Sequence, residues 1–302
     1  MLTSAVKPVI PTFADRLGEI QAGMERVLDD LLGQPAGSQG ILVEAMRHAV
    51  LGGGKRLRPF LTIETASLFG PVSKEVWKAA AALEYIHAFS LIHDDLPCMD
   101  NDDWRRGKPT THKVYGEGIA VLAGDALQCE AFGIMAGLDL PDDLKIELIG
   151  DLSRASSTFG MVGGQVMDIT VRGTDWDEAG VKELQRLKTG ALIEYAVVSG
   201  AKLGMADVTD IEKCRRFARD MGLAFQIRDD ILDAEGDAEI VGKAVGKDAA
   251  AGKATFVSIF GIEGARQKAQ ELGAGVKAHL AAYGARAHIL CDTVDFVLTR
   301  QK

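Results

Sequence analysis

The sequence predicts an all-α protein, and the positions of its prolines give the first indication. All eight prolines lie at or before Pro141, so residues 142–302 contain none and can be helical nearly throughout. In that half, apolar residues recur every three or four positions, as in Leu184, Leu187 and Ala191, which is the helical period. No stretch that resembles a strand is bounded by a hairpin dipeptide.

Capping residues, glycines and prolines in the first half mark where individual helices begin and end. Ser38 is placed to cap a helix that ends at the glycine run 52–54. A second helix is predicted to begin at Ser73 and to end near Asp95, two residues before a proline. A third is predicted over residues 117–136.

Further along, helix starts and loops follow the same signals. Pro141, followed by two aspartates, is expected to start a helix, and the glycine pair 163–164 to interrupt or loosen one near Met161. An acidic loop is predicted near residues 96–110 and a loop rich in lysine and glycine near 236–253.

Composition and charge exclude several classes of protein. The chain carries 34 Lys and Arg against 43 Asp and Glu, a formal net charge of −9, which argues against a general nucleic-acid binder. The four cysteines lie far apart, and neither a secretion signal nor an uncharged apolar run of roughly 18 residues is found. We therefore expect residues 1–302 to form one cytoplasmic domain without a membrane span, a disulfide framework or a nucleic-acid partner.

Two aspartate clusters are the strongest chemical signal. They comprise Asp94, Asp95 and Asp100, and, about 135 residues later, Asp229, Asp230 and Asp233. In the second cluster Asp229 and Asp233 share a helix face with Gln226. Such clusters are costly among apolar residues unless cations offset them, and hard oxygen ligands suit Mg²⁺. Either cluster alone is also explained as a solvated turn or helix end, but two clusters at helix ends favour a metal site.

Basic residues, most of them next to glycine, complement these carboxylates. Lys and Arg bind diphosphates, and glycine lets the backbone approach an anion closely. Taken singly, each is more often a solvated surface charge. The candidates are Lys55 and Arg58 after the glycine run, Arg105 and Arg106 after the first acidic cluster, and Lys188, Lys243 and Lys253.

The sequence does not match other motifs for nucleotide binding, metal binding or nucleophilic catalysis. The glycine-lysine pair before Arg56 lacks the Ser or Thr and the preceding strand of a P-loop. Counted as a calcium loop from Asp100, the first cluster lacks ligands at its fifth and twelfth positions. No histidine has a matched Ser or Cys nucleophile, although His87 lies seven residues before Asp94 and faces the same way after two helical turns.

Together these residues resemble the trans-isoprenyl diphosphate synthase (polyprenyl synthetase) family, and most closely its bacterial farnesyl diphosphate synthases. The resemblance covers nearly the whole chain. It rests on the segments GGGKRLRP, DDLPCMDNDDWRRGKPT, KTG and FQIRDDILD, in the family's order and approximate spacing, and on GGQVMD, where Gln165 and Asp168 lie one turn apart. Trp104, where members commonly carry Leu, departs from the pattern.

The resemblance implies an isoprenoid-synthase-type helical bundle around a deep central cleft, working as a homodimer on small-molecule diphosphates. The two aspartate clusters would face each other across the mouth of the cleft. Three Mg²⁺ ions would be held by Asp94, Asp95 and Asp100 on one side and by Asp229, Asp230 and Asp233 on the other.

The resemblance also implies two substrate sites and a reaction. The allylic diphosphate would be bound by Arg105, Lys188, Lys243 and Lys253, with Thr189 and Gln226 turning oxygen dipoles toward the allylic cation. Isopentenyl diphosphate would be bound by Lys55, Arg58, His87 and Arg106. Catalysis, by Mg²⁺-assisted ionisation of the allylic diphosphate, would involve Asp94, Asp95, Asp229, Lys188, Thr189 and Gln226.

Product length in this family depends largely on the residues four and five positions before the first aspartate, here Ser90 and Phe89. The aromatic Phe89 indicates a floor that stops the chain near fifteen carbons, so we expect farnesyl diphosphate. Small Ser90 leaves room, so geranylgeranyl diphosphate is the alternative product. Ordinary core packing explains Phe89 equally well.

Two other classes are weighed against this enzyme. A catalytically silent helical partner of a synthase is expected to lose carboxylates from one cluster, and here both clusters are complete. A terpene cyclase is also helical and Mg²⁺-dependent, but it would not need a second diphosphate site, so Lys55, Arg58 and His87 argue against it.

Overall fold

A computed structural model describes residues 11–170, 177–235 and 255–300, and these are almost entirely helical. The all-α prediction is confirmed. The helices are α1 Phe13–Leu32, α2 Gly40–Val50, α3 Leu57–Ser67, α4 Lys74–Asp94, α5 Thr111–Tyr115, α6 Glu117–Ala136, α7 Asp142–Ser156, α8 Met161–Thr170, α9 Glu178–Gln185, α10 Ala191–Leu203, α11 Val208–Glu235, α12 Phe256–Ala278 and α13 His288–Thr299. A π-helix, Arg186–Gly190, joins α9 to α10, and a 3₁₀ segment, Ala281–Ala287, precedes α13.

Helix α4 lies at the centre of the bundle. It packs against α1, α2, α3, α6 and α10, and residues 79–83 on successive faces are at most 3% exposed. A helix that is apolar on every side is stable only when it is surrounded. One continuous cluster of buried apolar side chains includes residues from α1 to α13. Helix α11 packs against α10, α12 and α13. The two aspartate clusters therefore lie near the C-terminal ends of two well-supported helices.

Several predicted boundaries are confirmed. Helix α4 begins after Ser73 and ends at Asp94, and α6 covers residues 117–136 as predicted. Helix α7 follows Pro141, with both aspartates in its first turn, where they face the positive end of the helix dipole. These boundaries depend on local signals, namely a capping residue, a proline and a glycine.

Two local predictions were wrong. Ser38 does not cap α2; Gln39 occupies the cap position, and the Ser38 hydroxyl donates to the Gln39 side chain instead. The glycine pair 163–164 does not interrupt a helix, because α8 runs through it. A Cβ on Gly164 would lie 2.3 Å from the backbone nitrogen of Lys188, so this glycine allows α8 and the π-helix to touch.

The predicted acidic loop also contains a small hairpin that the sequence analysis missed. Strand β1, Trp104–Arg105, pairs antiparallel with β2, Lys108–Pro109. The two residues between them, Arg106 and Gly107, both have positive φ (53° and 74°), as a type I′ hairpin turn requires. Strands of two residues are too short to show alternation in a sequence. The hairpin projects both candidate arginines from one loop.

Helix α6 is the one helix in the described part of the chain whose length and composition would let it cross a membrane, and a third of it is buried. Core helices of globular proteins pass the same test, so the indication is weak. One side of α6 packs closely against α4: a Cβ on Gly124 of α6 would lie 2.2 Å from the imidazole of His93 on α4. The described residues thus contain no clear membrane span.

We expect Gly164→Ala to destabilise the protein by about 1–3 kcal/mol, because the added methyl meets backbone atoms that cannot rotate away. Gly150→Ala is the matched control. It also lies inside a helix, but nothing lies within 4 Å of the position that its methyl would take, so it should raise the free energy of unfolding by up to about 1 kcal/mol. Urea unfolding followed by circular dichroism measures both. Equal effects of the two substitutions would contradict the proposed contact.

Candidate active site

The first aspartate cluster is built where α4 ends and the chain folds back. The backbone N–H of Asp100 donates to the carbonyl of Asp94 at 2.8 Å, which returns Asp100 to the end of the helix. The Asp94 carboxylate accepts a hydrogen bond of 2.6 Å from the side-chain amide of Gln165 on α8. Burial raises the pKa of Asp94 to about 6, with Lys188 opposing and Asp100 adding to the rise. The positive charge around this carboxylate therefore does not fully offset the effect of its burial.

Asp95 and Arg105 are brought together, although the family resemblance assigns them to different ligands. The Arg105 guanidinium donates to both oxygens of Asp95, with Nε at 2.8 and 2.9 Å and a terminal nitrogen at 2.5 Å. Asp95 is 3% exposed; burial raises its pKa, and the hydrogen bonds from Arg105 oppose the rise. The pair ties the β1–β2 hairpin to α4. Their roles toward Mg²⁺ and the allylic diphosphate stay predictions.

In the second cluster, Asp229 and Asp230 point to different partners. Asp230 is 3% exposed and accepts from the Gln226 amide at 2.9 Å and from the backbone N–H of Phe256 at 2.7 Å. Phe256 is the first residue of α12, so Asp230 fixes the start of that helix. Asp229 accepts a hydrogen bond of 2.5 Å from Arg300, beyond the end of α13. Asp233 follows Asp229 by about one turn on the same face and is partly exposed.

A directed chain of hydrogen bonds joins Thr189 to this cluster. Asp230 accepts from the Gln226 amide nitrogen at 2.9 Å, which turns the Gln226 carbonyl oxygen toward Thr189. The Thr189 hydroxyl is 3.1 Å from that oxygen and must donate to it. Its remaining lone pairs are then held in a fixed direction. The role that the resemblance implies for Thr189, an oxygen dipole toward the allylic cation, stays a prediction.

Lys188 lies in the π-helix, an irregularity that often marks functional sites. Its ammonium donates to Asp168 on α8 at 2.6 Å. Lys188 also lowers the pKa of Asp94, so it lies close enough to act on the first cluster. The GGQVMD segment thus contributes in three ways: Gly164 permits the close approach, Gln165 contacts Asp94, and Asp168 pairs with Lys188.

Three of the predicted isopentenyl diphosphate residues, Arg58, His87 and Arg106, also lie close together. A terminal nitrogen of Arg58 is 3.2 Å from Nε2 of His87. Since a guanidinium only donates, this Nε2 accepts and the proton of the neutral ring lies on Nδ1. Burial and then Arg58 hold the pKa of His87 well below its usual value. The Nε–H of Arg58 is buried and has no hydrogen-bond partner among the described residues. Arg106 donates to the Gly53 carbonyl at 2.6 Å.

Electrostatic effects connect the two sides of the site. Burial lowers the pKa of Arg58, while Glu84 and Asp229 oppose that change and Arg106 adds to it. Arg58 at the start of α3 is therefore near Asp229 on α11. Lys55 lies on the same loop, with its ammonium 5.7 Å from the centre of the Phe296 ring. The predicted Lys243 and Lys253 lie outside the described residues.

The carboxylates fit Mg²⁺ in one specific mode. Within the described ranges, no three acidic, histidine or cysteine side chains converge as a preformed metal cage. Mg²⁺, however, usually takes one or two carboxylates and fills its other positions with water and substrate phosphates. Asp94 and Asp100, which lie close enough for the charge of Asp100 to raise the pKa of Asp94, offer such a pair of hard oxygen ligands. Asp229 and Asp233 offer another on one helix face.

The sequence analysis missed Arg56, whose side chain is completely buried. Its guanidinium donates to Glu25 at 2.8 and 2.6 Å, to Glu84 at 2.5 Å and to the Val50 carbonyl at 2.5 Å. Arg56 caps α3 in the left-handed conformation, with φ of 51°. It lies between the predicted ligand residues Lys55 and Arg58, and the only signal in the sequence is its place inside the GGGKRLRP segment.

Arg300, which belongs to none of the predicted motifs, lies in the second cluster. Its side chain is 7% exposed, pairs with Asp229 and lies 3.9 Å above the centre of the Phe225 ring. Arg228 donates to the Arg300 carbonyl at 2.5 and 3.0 Å, which fixes this end of the chain. The C-terminal segment thus reaches the site.

Comparisons with known proteins identify the family to which the chain is similar. The family model described as polyprenyl synthetase matches residues 39–283. A heterodimeric geranylgeranyl pyrophosphate synthase large subunit 2 from Arabidopsis thaliana is 42% identical over 272 residues, covering 89% of this chain and 72% of that protein. A geranylgeranyl diphosphate synthase from Cyanophora paradoxa is 40% identical over 281 residues, covering 91% and 94%. The apo crystal structure of an FPP/GFPP synthase from Zymomonas mobilis has a TM-score of 0.85 and 42% identity, covering 94% and 98%.

We expect Arg56→Met to lower the free energy of unfolding by about 3–5 kcal/mol, because it leaves the buried Glu84 carboxylate without its cation. Arg216→Met is the control, since the Arg216 side chain is 63% exposed and its ion pair contributes less than about 1 kcal/mol. Adding Glu84→Met to Arg56→Met should recover part of the loss. Urea unfolding measures all three, and similar losses for the two single variants would refute the buried network.

Proposed function

The chain belongs to the polyprenyl synthetase family and is a trans-prenyltransferase, and from this we propose that it makes geranylgeranyl diphosphate from isopentenyl diphosphate and a shorter allylic diphosphate. The observation that carries the choice of product is the small Ser90 on the Asp94 face of α4. Two of the relatives described above have names that specify a geranylgeranyl product. The farnesyl product that the sequence analysis expected is the less supported alternative.

The first step of the proposed mechanism is ionisation of the allylic diphosphate between the two aspartate clusters. Bound Mg²⁺, held by Asp94 and Asp100 on one side and by Asp229 and Asp233 on the other, would supply positive charge to the departing diphosphate. Lys188 and Arg105 bind the same diphosphate. Both are paired with carboxylates, and their charge is available once a phosphate oxygen replaces that partner. Positive charge placed where the anion develops lowers the barrier.

Thr189 acts on the other product of ionisation, the allylic cation. Its hydroxyl proton is committed to Gln226, so the oxygen presents lone pairs and no competing donor. Fixed dipoles stabilise a cation without reorganising during the reaction. Gln226 takes part by holding this orientation through Asp230.

Isopentenyl diphosphate is bound by Lys55, Arg58, His87 and Arg106. A diphosphate oxygen there would accept from the buried Arg58 Nε–H, which otherwise lacks a partner among the described residues. The double bond of isopentenyl diphosphate attacks the allylic cation, a carbon–carbon bond forms, and a proton leaves the new chain. We assign the acceptance of this proton to the released diphosphate.

In this proposal the residues about one helical turn before Asp94 on α4 determine product length. Ser90 is one turn before Asp94 on the same face, and its hydroxyl donates to the His87 carbonyl at 2.9 Å. Phe89 is 6% exposed, and its ring contacts His93 edge-on with centres 5.7 Å apart. His93 in turn reaches the Val121 carbonyl of α6 at 3.1 Å. This supports Phe89 as packing between α4 and α6 and the small Ser90 as the residue that sets the depth of the site below Asp94.

We expect the purified protein, given Mg²⁺, isopentenyl diphosphate and geranyl diphosphate, to release diphosphate and form mainly a twenty-carbon product. Ser90→Phe should shorten it to fifteen carbons or fewer, because the ring would occupy the face below Asp94. Phe89→Ala, a substitution at the neighbouring position, should leave the product length unchanged. Chromatography of the dephosphorylated products measures this.

The possible results separate the two parts of the proposal. If the wild-type protein forms no chain-extended product, the proposed prenyltransferase reaction is contradicted. A fifteen-carbon wild-type product that Phe89→Ala lengthens would instead favour the farnesyl alternative, with Phe89 as the floor.

We also propose that the enzyme is a dimer of two copies of this chain, held together through α6, α7 and α8. These helices are neighbours and expose large apolar side chains, which a solvated surface rarely groups together. Helix α8 carries a stripe at helical spacing, Val162, Val166 and Ile169. Leu122 on α6 and Ile146 on α7 are 54% and 71% exposed. The Arabidopsis relative is named as a subunit of a heterodimer.

We expect light scattering after gel filtration to give twice the chain mass of 32.3 kDa. Leu122→Lys should shift the protein toward the monomer, because it places a charge in the apolar contact. Val208→Lys is the control: Val208 is 83% exposed at the start of α11, outside this surface, and the variant should stay dimeric. A monomeric wild-type protein would refute the proposal.

A further inference from the structure

The β1–β2 hairpin, which carries Arg105 and Arg106, buries little apolar surface against the bundle. Trp104 in β1 is 62% exposed, and both residues of β2 are exposed. A pocket of about 40 Å³ lies between the hairpin, α2 and α4. Two-stranded hairpins are marginally stable by themselves, so individual polar contacts must fix the position of this one.

The two arginines of the hairpin are held unequally. Arg105 donates three hydrogen bonds of 2.5–2.9 Å to Asp95 on α4. Among the described residues, Arg106 donates one hydrogen bond, of 2.6 Å, to the Gly53 carbonyl. Its guanidinium lies against the glycine run, since a Cβ on Gly54 would be 2.7 Å from its Cζ atom. Arg105 is therefore fixed by its own ion pair, whereas the place of Arg106 depends on how the hairpin is held against the glycine run.

His48, near the end of α2, provides a second contact to the hairpin. Its Nε2 lies 2.8 Å from the carbonyl oxygen of Pro109, the last residue of β2. A carbonyl oxygen only accepts, so this Nε2 carries a proton and donates the hydrogen bond. The imidazole also contacts the ring of Tyr115 on α5 edge-on, with ring centres 5.7 Å apart. The hydrogen bond joins α2 directly to the strand that follows Arg106.

The contacts of His48 and Gly53 hold the hairpin at two separate points. Both residues lie around the end of α2, and their partners lie at the end of β2 and in the turn of the hairpin. Two such contacts prevent the hairpin from turning about either one. Arg106 is thereby held beside the glycine run and close to Arg58, whose pKa burial and the charge of Arg106 both lower.

We propose that His48 is a positioning residue for isopentenyl diphosphate, because it holds the hairpin in the place from which Arg106 binds the ligand. The proposal rests on the isopentenyl diphosphate site proposed above. A side chain that is already in place loses less conformational freedom on binding, so the ligand binds more tightly. Arg105 keeps its ion pair with Asp95, so the effect of His48 should be confined to isopentenyl diphosphate and should leave the allylic diphosphate unaffected.

A binding titration tests this without turnover. The dissociation constant of isopentenyl diphosphate is measured by calorimetry for the full-length protein in EDTA, since the residues proposed for this site are all basic. His48→Phe keeps an aromatic ring beside Tyr115 but removes the donor, and should weaken binding about fivefold, because one hydrogen bond contributes roughly two- to tenfold. His48→Gln keeps a donating nitrogen and should bind like the wild type. Weaker binding by His48→Gln than by His48→Phe would show that the ring contact matters instead, and would overturn the proposal.

A double-mutant cycle tests whether His48 acts through Arg106. In an Arg106→Gln background, His48→Phe should cause no further loss of affinity, because the residue that it positions is already gone. An undiminished fivefold loss in that background would contradict the proposal. His288→Phe is the matched control: Nε2 of His288 on α13 lies 3.4 Å from the Pro11 carbonyl, and this variant should bind like the wild type.

Steady-state kinetics then separate the two substrates. In His48→Phe the KM for isopentenyl diphosphate should rise while the KM for geranyl diphosphate stays unchanged, and equal rises in both would refute a role confined to Arg106. A wild-type protein that does not bind isopentenyl diphosphate would also overturn the proposal. Binding with the expected order of variants but without turnover would support the role of His48 and count against the prenyltransferase reaction alone.

Discussion

The buried guanidinium of Arg56 is the interaction on which the arrangement of the site depends. It joins Glu25 of α1, the end of α2 at Val50 and Glu84 of α4, while its own backbone starts α3. A guanidinium and a carboxylate removed from water are tolerated only when nearly all of their hydrogen-bonding groups are satisfied. Because these partners come from three helices, they fix the loop that carries Lys55 and Arg58 against α4.

The charged groups of the site largely compensate one another. Asp95 pairs with Arg105, Asp168 with Lys188 and Asp229 with Arg300. Ion pairs of this kind contribute little net stability, since the cost of removing the charges from water nearly offsets their attraction. Exchanging the carboxylate partner of Arg105 or Lys188 for a phosphate oxygen, or the arginine partner of Asp229 for Mg²⁺, therefore keeps each charge beside one of the opposite sign. Asp94, whose pKa burial raises, and the Nε–H of Arg58, which has no hydrogen-bond partner among the described residues, lie where a ligand of each sign is proposed.

Local signals predicted the fold class, the bounds of α4 and α6 and the start of α7, and the family resemblance predicted the segments from which the site is built. Neither could predict the partners within the site. Asp95 and Asp230 carry the same charge as their neighbours in sequence, but their contacts, Arg105 and the start of α12, depend on how distant segments pack. The glycine pair 163–164 was misjudged for the same reason, since the contact that requires Gly164 lies 24 residues away in sequence, at Lys188.

The π-helix shows why a local irregularity is retained at this place. A π-turn is less favourable than an α-turn, so it persists only where its surroundings determine it. Here Gly164 lets α8 touch the backbone of Lys188, and the hydrogen bonds of Lys188 and Thr189 to Asp168 and Gln226 hold the turn from two directions. An α-helical register would rotate both side chains away from these partners. The extra residue in the turn thus lets neighbouring side chains reach opposite clusters, a cation toward Asp94 and an oxygen dipole beside Gln226.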